Sequence, residues 1–302
     1  MRTSLRNKVK DTIVFECKLP DRVSGLSRSH ISTNKDSCFS NDDIVALSSI
    51  IYNGIVEFAV NQYKINYHEL DLEQLRTIAS RIKYDRSATQ QTKLKYGFYG
   101  EVLLDLILRS HMQVNVLIAR GYFYLPTAKA EPTGFDAFHI MERNGKLELW
   151  FGEAKFHINY KQAIDSVLNN IQKSLSDEYV QNNLISIISE ENNITTQNSQ
   201  LTDLLCAWKE NPNVNLAVEM RLRNIRLIYP ILIAYEQTDR FNYHNNIKSC
   251  IDHIDEQSKK LNITISATFD YCIRFIFLPV SEVKKVKETV IEWIENQEPL
   301  MP

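Results

Sequence analysis

The segment from Pro132 to Phe156, PTGFDAFHIMERNGKLELWFGEAKF, constrains this chain more than any other. Asn144-Gly145 divides two stretches of strand character, Gly134 to Met141 and Lys146 to Phe156. Both turn residues tolerate the positive φ of a type I′ turn, so the dipeptide predicts a β-hairpin with a two-residue loop. Such a loop fixes the register. Arg143 faces Lys146, and counting outward sets Asp136 directly opposite Glu153. Lys155 lies two residues past Glu153 and on the same face by strand alternation. Opposed carboxylates repel, which asks for a cation between them.

Carboxylate oxygens suit hard cations such as Mg²⁺ or Mn²⁺. Asp136, Glu153 and the backbone carbonyl of Ala154 make a candidate metal site. Glu101, at the start of a helix expected from Phe98 or Tyr99, can complete the shell directly or through water. A divalent ion there makes water nucleophilic near neutral pH and stabilises charge on a phosphate. Lys155 would orient the attacking hydroxide or neutralise charge building on the phosphate. Lys161 and Gln162 fall in the first turn of the following helix, where free N–H groups favour a phosphate. Together these predict phosphodiester hydrolysis, with Asp136, Glu153 and Lys155 as the catalytic set.

Each residue taken singly has a structural alternative. Glu153 and Lys155 can form a solvated pair, Asp136 can serve the turn after Thr133-Gly134, and Glu101 can simply favour a helix dipole. Against this, Leu147, Leu149 and Phe151 share the face of Glu153, which argues that it points inward. His139 falls on the opposite strand face from Asp136 and is expected to pack. His157 has no assigned role. The chain has no GxSxG, Walker A or GxGxxG motif.

Elsewhere the pattern predicts a strand at Thr12 to Cys17, a loop rich in Ser, Asn and Asp, and helices over 43–63 and 71–84. Asn41 or Asp42 is the expected cap of the first of these helices. These elements form a mostly helical N-terminal region, 1–95, ending in a polar linker over 85–95. A second unit, 96–302, reads α-β-β-β-α-β-α-β-α, an α/β core with a mixed sheet and helices on both faces. Its strands are expected at Val114 to Tyr124, in the hairpin, at Arg226 to Tyr235 and at Tyr271 to Leu278. Pro230 predicts a bulge or an edge position, and Ser281 is expected to cap the last helix. Residues 189–213, polar and Asn-rich, read as an insertion that, with the N-terminal helices, offers a partner-facing surface.

A formal net charge of −2 means that any nucleic-acid contact must come from local patches or a partner. The cysteines, Cys17, Cys38, Cys206, Cys250 and Cys272, form no CxxC pair. That excludes a zinc ribbon or a disulfide framework and fits a reducing cytoplasm. No h-region of a signal peptide and no run of membrane-spanning length is present.

Glu101 on a helix, Asp136 on a strand and Glu153-Ala154-Lys155 on the next resemble the PD-(D/E)xK nuclease superfamily, which cuts DNA with Mg²⁺. Phe135, rather than Pro, precedes Asp136. More specifically, YGEVLLDLIL, PTGFDAFHI and LWFGEAKF resemble the HamA family of Hachiman antiphage-defence effectors, most closely from Tyr96 to Leu175. The resemblance implies a restriction-endonuclease-like core and a Mg²⁺-dependent deoxyribonuclease, with Mn²⁺ able to substitute. It also implies a bacterial two-gene system in which a superfamily 2 helicase, HamB, restrains the nuclease until triggered. One alternative is an inactive nuclease fold serving as a DNA-binding or assembly subunit. Another, a stand-alone restriction or repair nuclease, lacks a recognisable DNA-reading module.

Overall fold

The computed structural model describes residues 1–19, 26–33, 41–82, 84–123, 134–143, 145–195, 198–237 and 242–301. Asn144 of the expected turn, Pro132, Thr133, Tyr124 and much of the polar loop before residue 41 lie outside the described residues. The chain opens with α1 (Thr3–Thr12), β1 (Ile13–Leu19) and β2 (Leu26–Thr33). Next come α2 (Asn41–Ala59), α3 (Leu70–Ser80), the short α4 (Gln90–Lys93) and α5 (Phe98–Ser110). After α5 stand β3 (Asn115–Val116), β4 (Ala137–Arg143), β5 (Lys146–His157) and α6 (Tyr160–Ser174). Helices α7 (Asp177–Ser189), α8 (Ser199–Glu210) and α9 (Leu216–Leu222) precede β6 (Arg226–Glu236). The order closes with α10 (Tyr243–Lys260), β7 (Asp270–Val280) and α11 (Val283–Asn296).

Among the described residues the strands form one mixed sheet in the order β1-β2-β7-β6-β5-β4-β3. β2, β7, β6 and β5 run parallel to their neighbours in that series, and the two ends are antiparallel. The central strands are apolar along their length because helices cover both faces. On one face Trp150, Phe156, Leu232 and Ile276 pack with α1, α2, α5 and α11. On the other, Leu149, Phe151, Ile231 and Phe275 pack with α6, α7, α8 and α10. The expected α/β core with helices on both faces is therefore present. No helix of the described residues is long and apolar enough to cross a membrane.

Three expectations are corrected. The apolar run from Val114 is not a strand through Tyr124; it pairs only at Asn115 and Val116, then turns as a 3₁₀ helix over Arg120–Phe123. Its apolar side chains are buried beneath that turn, and the Asn61 side chain accepts the Ala119 N–H at 3.0 Å. Gly121 permits the turn, because a Cβ there would lie 2.2 Å from the Ala59 carbonyl oxygen.

Pro230 sits in the middle of the sheet, neither at an edge nor at a bulge. Pairing of β5 with β6 lapses between Trp150↔Ile228 and Glu153↔Ile231, then resumes in the same register. Proline has no N–H to give the ladder. The facing residue is Gly152, where a Cβ would come within 2.9 Å of both Pro230 Cγ and the Pro230 carbonyl oxygen. A glycine opposite thus accommodates the ring in a central strand.

Ser281 does not cap α11. The cap position is Glu282, and the Glu236 carboxylate accepts the Val283 N–H at 3.0 Å. Within the polar stretch 189–213, Ser199–Glu210 form α8, with Leu201, Leu204 and Leu205 buried. Its asparagines serve local geometry, Asn198 accepting from the Leu201 N–H at 3.1 Å to start that helix. Residues 196 and 197 are outside the described set. The 85–95 segment holds α4, whose buried Lys93 pairs with Glu295 on α11 at 2.7 Å.

Candidate active site

The hairpin forms in the expected register, from Arg143↔Lys146 to Ala137↔Gly152, with Gly145 at φ +71°. Asp136 is the next residue outward. Its N–H donates to the Gly152 carbonyl at 2.7 Å and its Oδ2 accepts the Ala154 N–H at 2.8 Å. These two bonds tie Asp136 to β5 and fix it across from Glu153. Lys155 Nζ lies 2.7 Å from Glu153 Oε1. The other oxygen, Oε2, accepts the hydroxyl of Tyr229, which is fully buried in β6.

Glu101 reaches this cluster from the other face of the sheet. α5 lies close on β5 because Gly100 has no side chain; a Cβ there would stand 3.2 Å from the Ala154 Cβ and 3.4 Å from the Phe156 Cβ. The buried Glu101 carboxylate has Arg120 Nε at 3.9 Å. Arg120, also buried, comes from the 3₁₀ turn held by Ala59 and Asn61.

The electrostatics follow from burial and charge. Burial acts most strongly on Asp136, Arg120 opposes it, and the facing Glu153 adds repulsion, so the carboxyl is pushed up to about 6. For Lys155, burial alone would lower the ammonium pKa. The carboxylates of Glu153, Asp136 and Glu101 outweigh burial, and the pKa is raised. Lys155 therefore stays charged through neutral pH.

The structure thus brings together Glu101, Asp136, Glu153, Ala154 and Lys155. It leaves Lys161 and Gln162 exposed in the first turn of α6. The Lys161 N–H is already taken by Asn159 Oδ1 at 2.9 Å, which removes one donor from the expected phosphate cradle. His139 is buried on the α5 side, its Nε2 2.9 Å from Asp105 Oδ1, as a packed residue should be. His157 is exposed and accepts the Asn159 N–H. Among the described residues no three His, Cys, Asp or Glu side chains are closed up around a common metal position. The carboxylates are spaced by Lys155 and Arg120 instead.

Two residues of the cluster escaped the sequence. Arg120 lay inside an apolar run, and a cation in such a run is the one available signal. Tyr229 lay in RLIYPILIAY, where a tyrosine is unremarked because it fits a buried strand.

Fold and site define an α/β protein with a half-buried carboxylate–lysine cluster on the central strands of a mixed sheet. The HamA family model matches residues 10–294, and the chain belongs to the HamA family, which makes it a component of Hachiman antiphage defence. No curated protein matches the chain.

Proposed function

We propose that this protein is the nuclease of its defence system, a metal-dependent deoxyribonuclease with a PD-(D/E)xK core. The observation that carries the proposal is the direct opposition of Asp136 and Glu153, with the Lys155 ammonium 2.7 Å from Glu153 Oε1. The donor set fits a hard divalent cation such as Mg²⁺ or Mn²⁺. Its oxygens are carboxylate, and Asp136 is disfavoured as an anion because it is buried facing Glu153. Asp136, Glu153 and the Ala154 carbonyl would hold the ion, with Glu101 completing the shell. Once bound, such an ion supplies Lewis acidity toward water and the scissile phosphate.

The chain's own residues do the rest. Ala154 N–H orients Asp136, and Tyr229 orients Glu153. Lys155, held charged by its neighbours, faces the phosphate oxygens and offsets charge that develops on them. Arg120 keeps Glu101 from adding an uncompensated charge to the buried cluster. DNA is delivered, and cleavage restrained, by the helicase partner HamB, consistent with a chain of net charge −2 that lacks global attraction to DNA.

A second reading is a nuclease fold retained as a DNA-binding or assembly subunit; the ion pair that occupies Glu153 favours it. The deciding experiment is cleavage of linear and supercoiled duplex DNA with Mg²⁺, for this chain alone and with its helicase, with Glu153→Ala as control. Cutting that requires Mg²⁺ and disappears in the variant supports the nuclease. Absence of cutting in every combination, with stable complex formation, supports the subunit.

A further inference from the structure

A cavity of about 780 Å³ opens at the far end of α5 from Glu101, bordered by Ser110 and by the β3 edge of the sheet. From Glu101 to Ser110 the helix rises about 14 Å, so the cavity is separate from the carboxylate cluster. Tyr63 and Tyr67 line it, and both are open to solvent, at 59% and 39%. Two large aromatic side chains thus share one solvent-open cavity. They stand on consecutive 3₁₀ turns, Gln62–Lys64 and Tyr67–Glu69. The buried Asn61 amide donates to the Tyr63 hydroxyl at 3.3 Å and to the Asn193 carbonyl at 2.6 Å, which ties the first turn to the body of the protein.

The charge around the cavity is positive and local. α1 carries Arg6, Lys8 and Lys10 against Asp11, in a chain of net charge −2. Arg6 and Lys10 reach the cavity, are exposed, and make no ion pair among the described residues. The other ionic groups at the wall are already committed: Arg109 binds Asp105 at 3.1 Å and the Glu57 carbonyl at 3.0 Å, and Glu57 binds Arg2 at 2.9 Å. Gln113 and Asn115 add amide groups of both hydrogen-bonding senses.

Exposed aromatic rings beside unpaired cations, in a polar recess of nucleotide size, are what a single strand of nucleic acid requires. The rings offer stacking surface to unpaired bases and the cations hold the phosphates. In a duplex the bases are stacked on each other and give such rings nothing to bind. We propose that this cavity is a single-stranded nucleic-acid site, distinct from the carboxylate cluster, in which Tyr63 and Tyr67 stack bases while Arg6 and Lys10 hold the backbone. The site is independent of whether the cluster cuts DNA.

The test is fluorescence anisotropy of a short fluorescein-labelled thymidine oligonucleotide with the full chain, in EDTA so that no cleavage enters. Tyr63→Ala and Tyr67→Ala are each expected to weaken binding about tenfold, the usual loss for one stacked base. Arg6→Ala and Lys10→Ala should each flatten the dependence of log affinity on log salt by about 0.7. Lys260→Ala, at the exposed end of α10 and outside both sites, should bind the strand like the wild type. Thermal melts of every variant establish that it is folded. Unchanged affinity in folded tyrosine variants overturns the proposal, as does equal affinity for the same sequence as duplex. Loss of strand binding in Lys155→Ala alone also overturns it, by moving the strand to the carboxylate cluster. A chain that binds through the cavity but cuts nothing leaves this site standing and removes only the nuclease.

Discussion

Two groups of carboxylates, one buried and one half-buried, flank α5, and they behave oppositely. At one, Glu57 on α2 and Asp105 on α5 are closed off by cations. Arg2 Nε lies 2.9 Å from Glu57, and Arg109 lies 3.1 Å from Asp105. His139 adds a contact to Asp105 at 2.9 Å. Burial alone would raise the Asp105 pKa, yet Arg109 and His139 hold it below the usual carboxylate range. At the other group, Asp136 faces Glu153, and the cations Lys155 and Arg120 do not cancel both burial and repulsion; Asp136 rises to about 6. The ingredients are the same. What separates a structural ion network from a candidate site is the charge left over after neighbours are counted.

The sharpest test of this contrast is to remove one member from each group. Lys155→Ala should lower DNA cleavage by about 10²- to 10³-fold, the loss typical of one transition-state charge partner. Its melting temperature should stay near that of the wild type. A variant that unfolds would make Lys155 structural and erase the distinction. Glu57→Ala should do the reverse. Leaving Arg2 and Arg109 buried without their carboxylate costs about 3–5 kcal/mol, read by urea denaturation. Cleavage per folded molecule should be unchanged.

Titration separates the groups next. The folded pKa of Asp136 is raised, so its ionised form opposes folding above about pH 6, and the penalty fades as pH falls toward 4. Asp136→Asn should therefore stabilise the protein at pH 8 by about 1–3 kcal/mol, and not at pH 4. Asp105 has the opposite sign. Its folded pKa is lowered, so it contributes stability above the ordinary aspartate range that is lost as pH falls through its folded pKa. Asp105→Asn should destabilise at neutral pH and flatten the acid limb of the stability curve. Parallel behaviour of the two variants would contradict the contrast.

The smallest expected effect belongs to Glu101→Gln. Glu101 is set back beside Arg120, on the other face of the sheet from Glu153. Its loss should raise the Mg²⁺ concentration for half-maximal cleavage by about tenfold, as outer-shell ligands commonly do. Wild-type metal dependence would place it outside the shell.

Local chemistry made part of this legible. Asn144-Gly145 and a period of two set the hairpin register, and that register alone brings Asp136, Glu153 and Lys155 together. Helical periodicity located α2, α3, α5, α6, α10 and α11, because amphipathic stripes are written in consecutive residues. Where the evidence was local but ambiguous, position in the sheet reversed the inference. Pro230 suggests an edge when read singly, and only Gly152, on a strand distant in sequence, shows how a central strand takes it.

The sequence by itself thus determined the hairpin that carries the carboxylates and the alternation of helices and strands, since both rest on interactions within a few residues of one another. The tertiary structure decided everything that depends on residues far apart in the chain. It set Glu101 against β5 through the close approach of Gly100 to Ala154. It put Arg120 beside Glu101, hung Tyr229 on Glu153, and turned the run after Val114 away from the sheet. Such contacts are fixed by packing and by the burial of charge, and neither is visible until the faces of the sheet are covered.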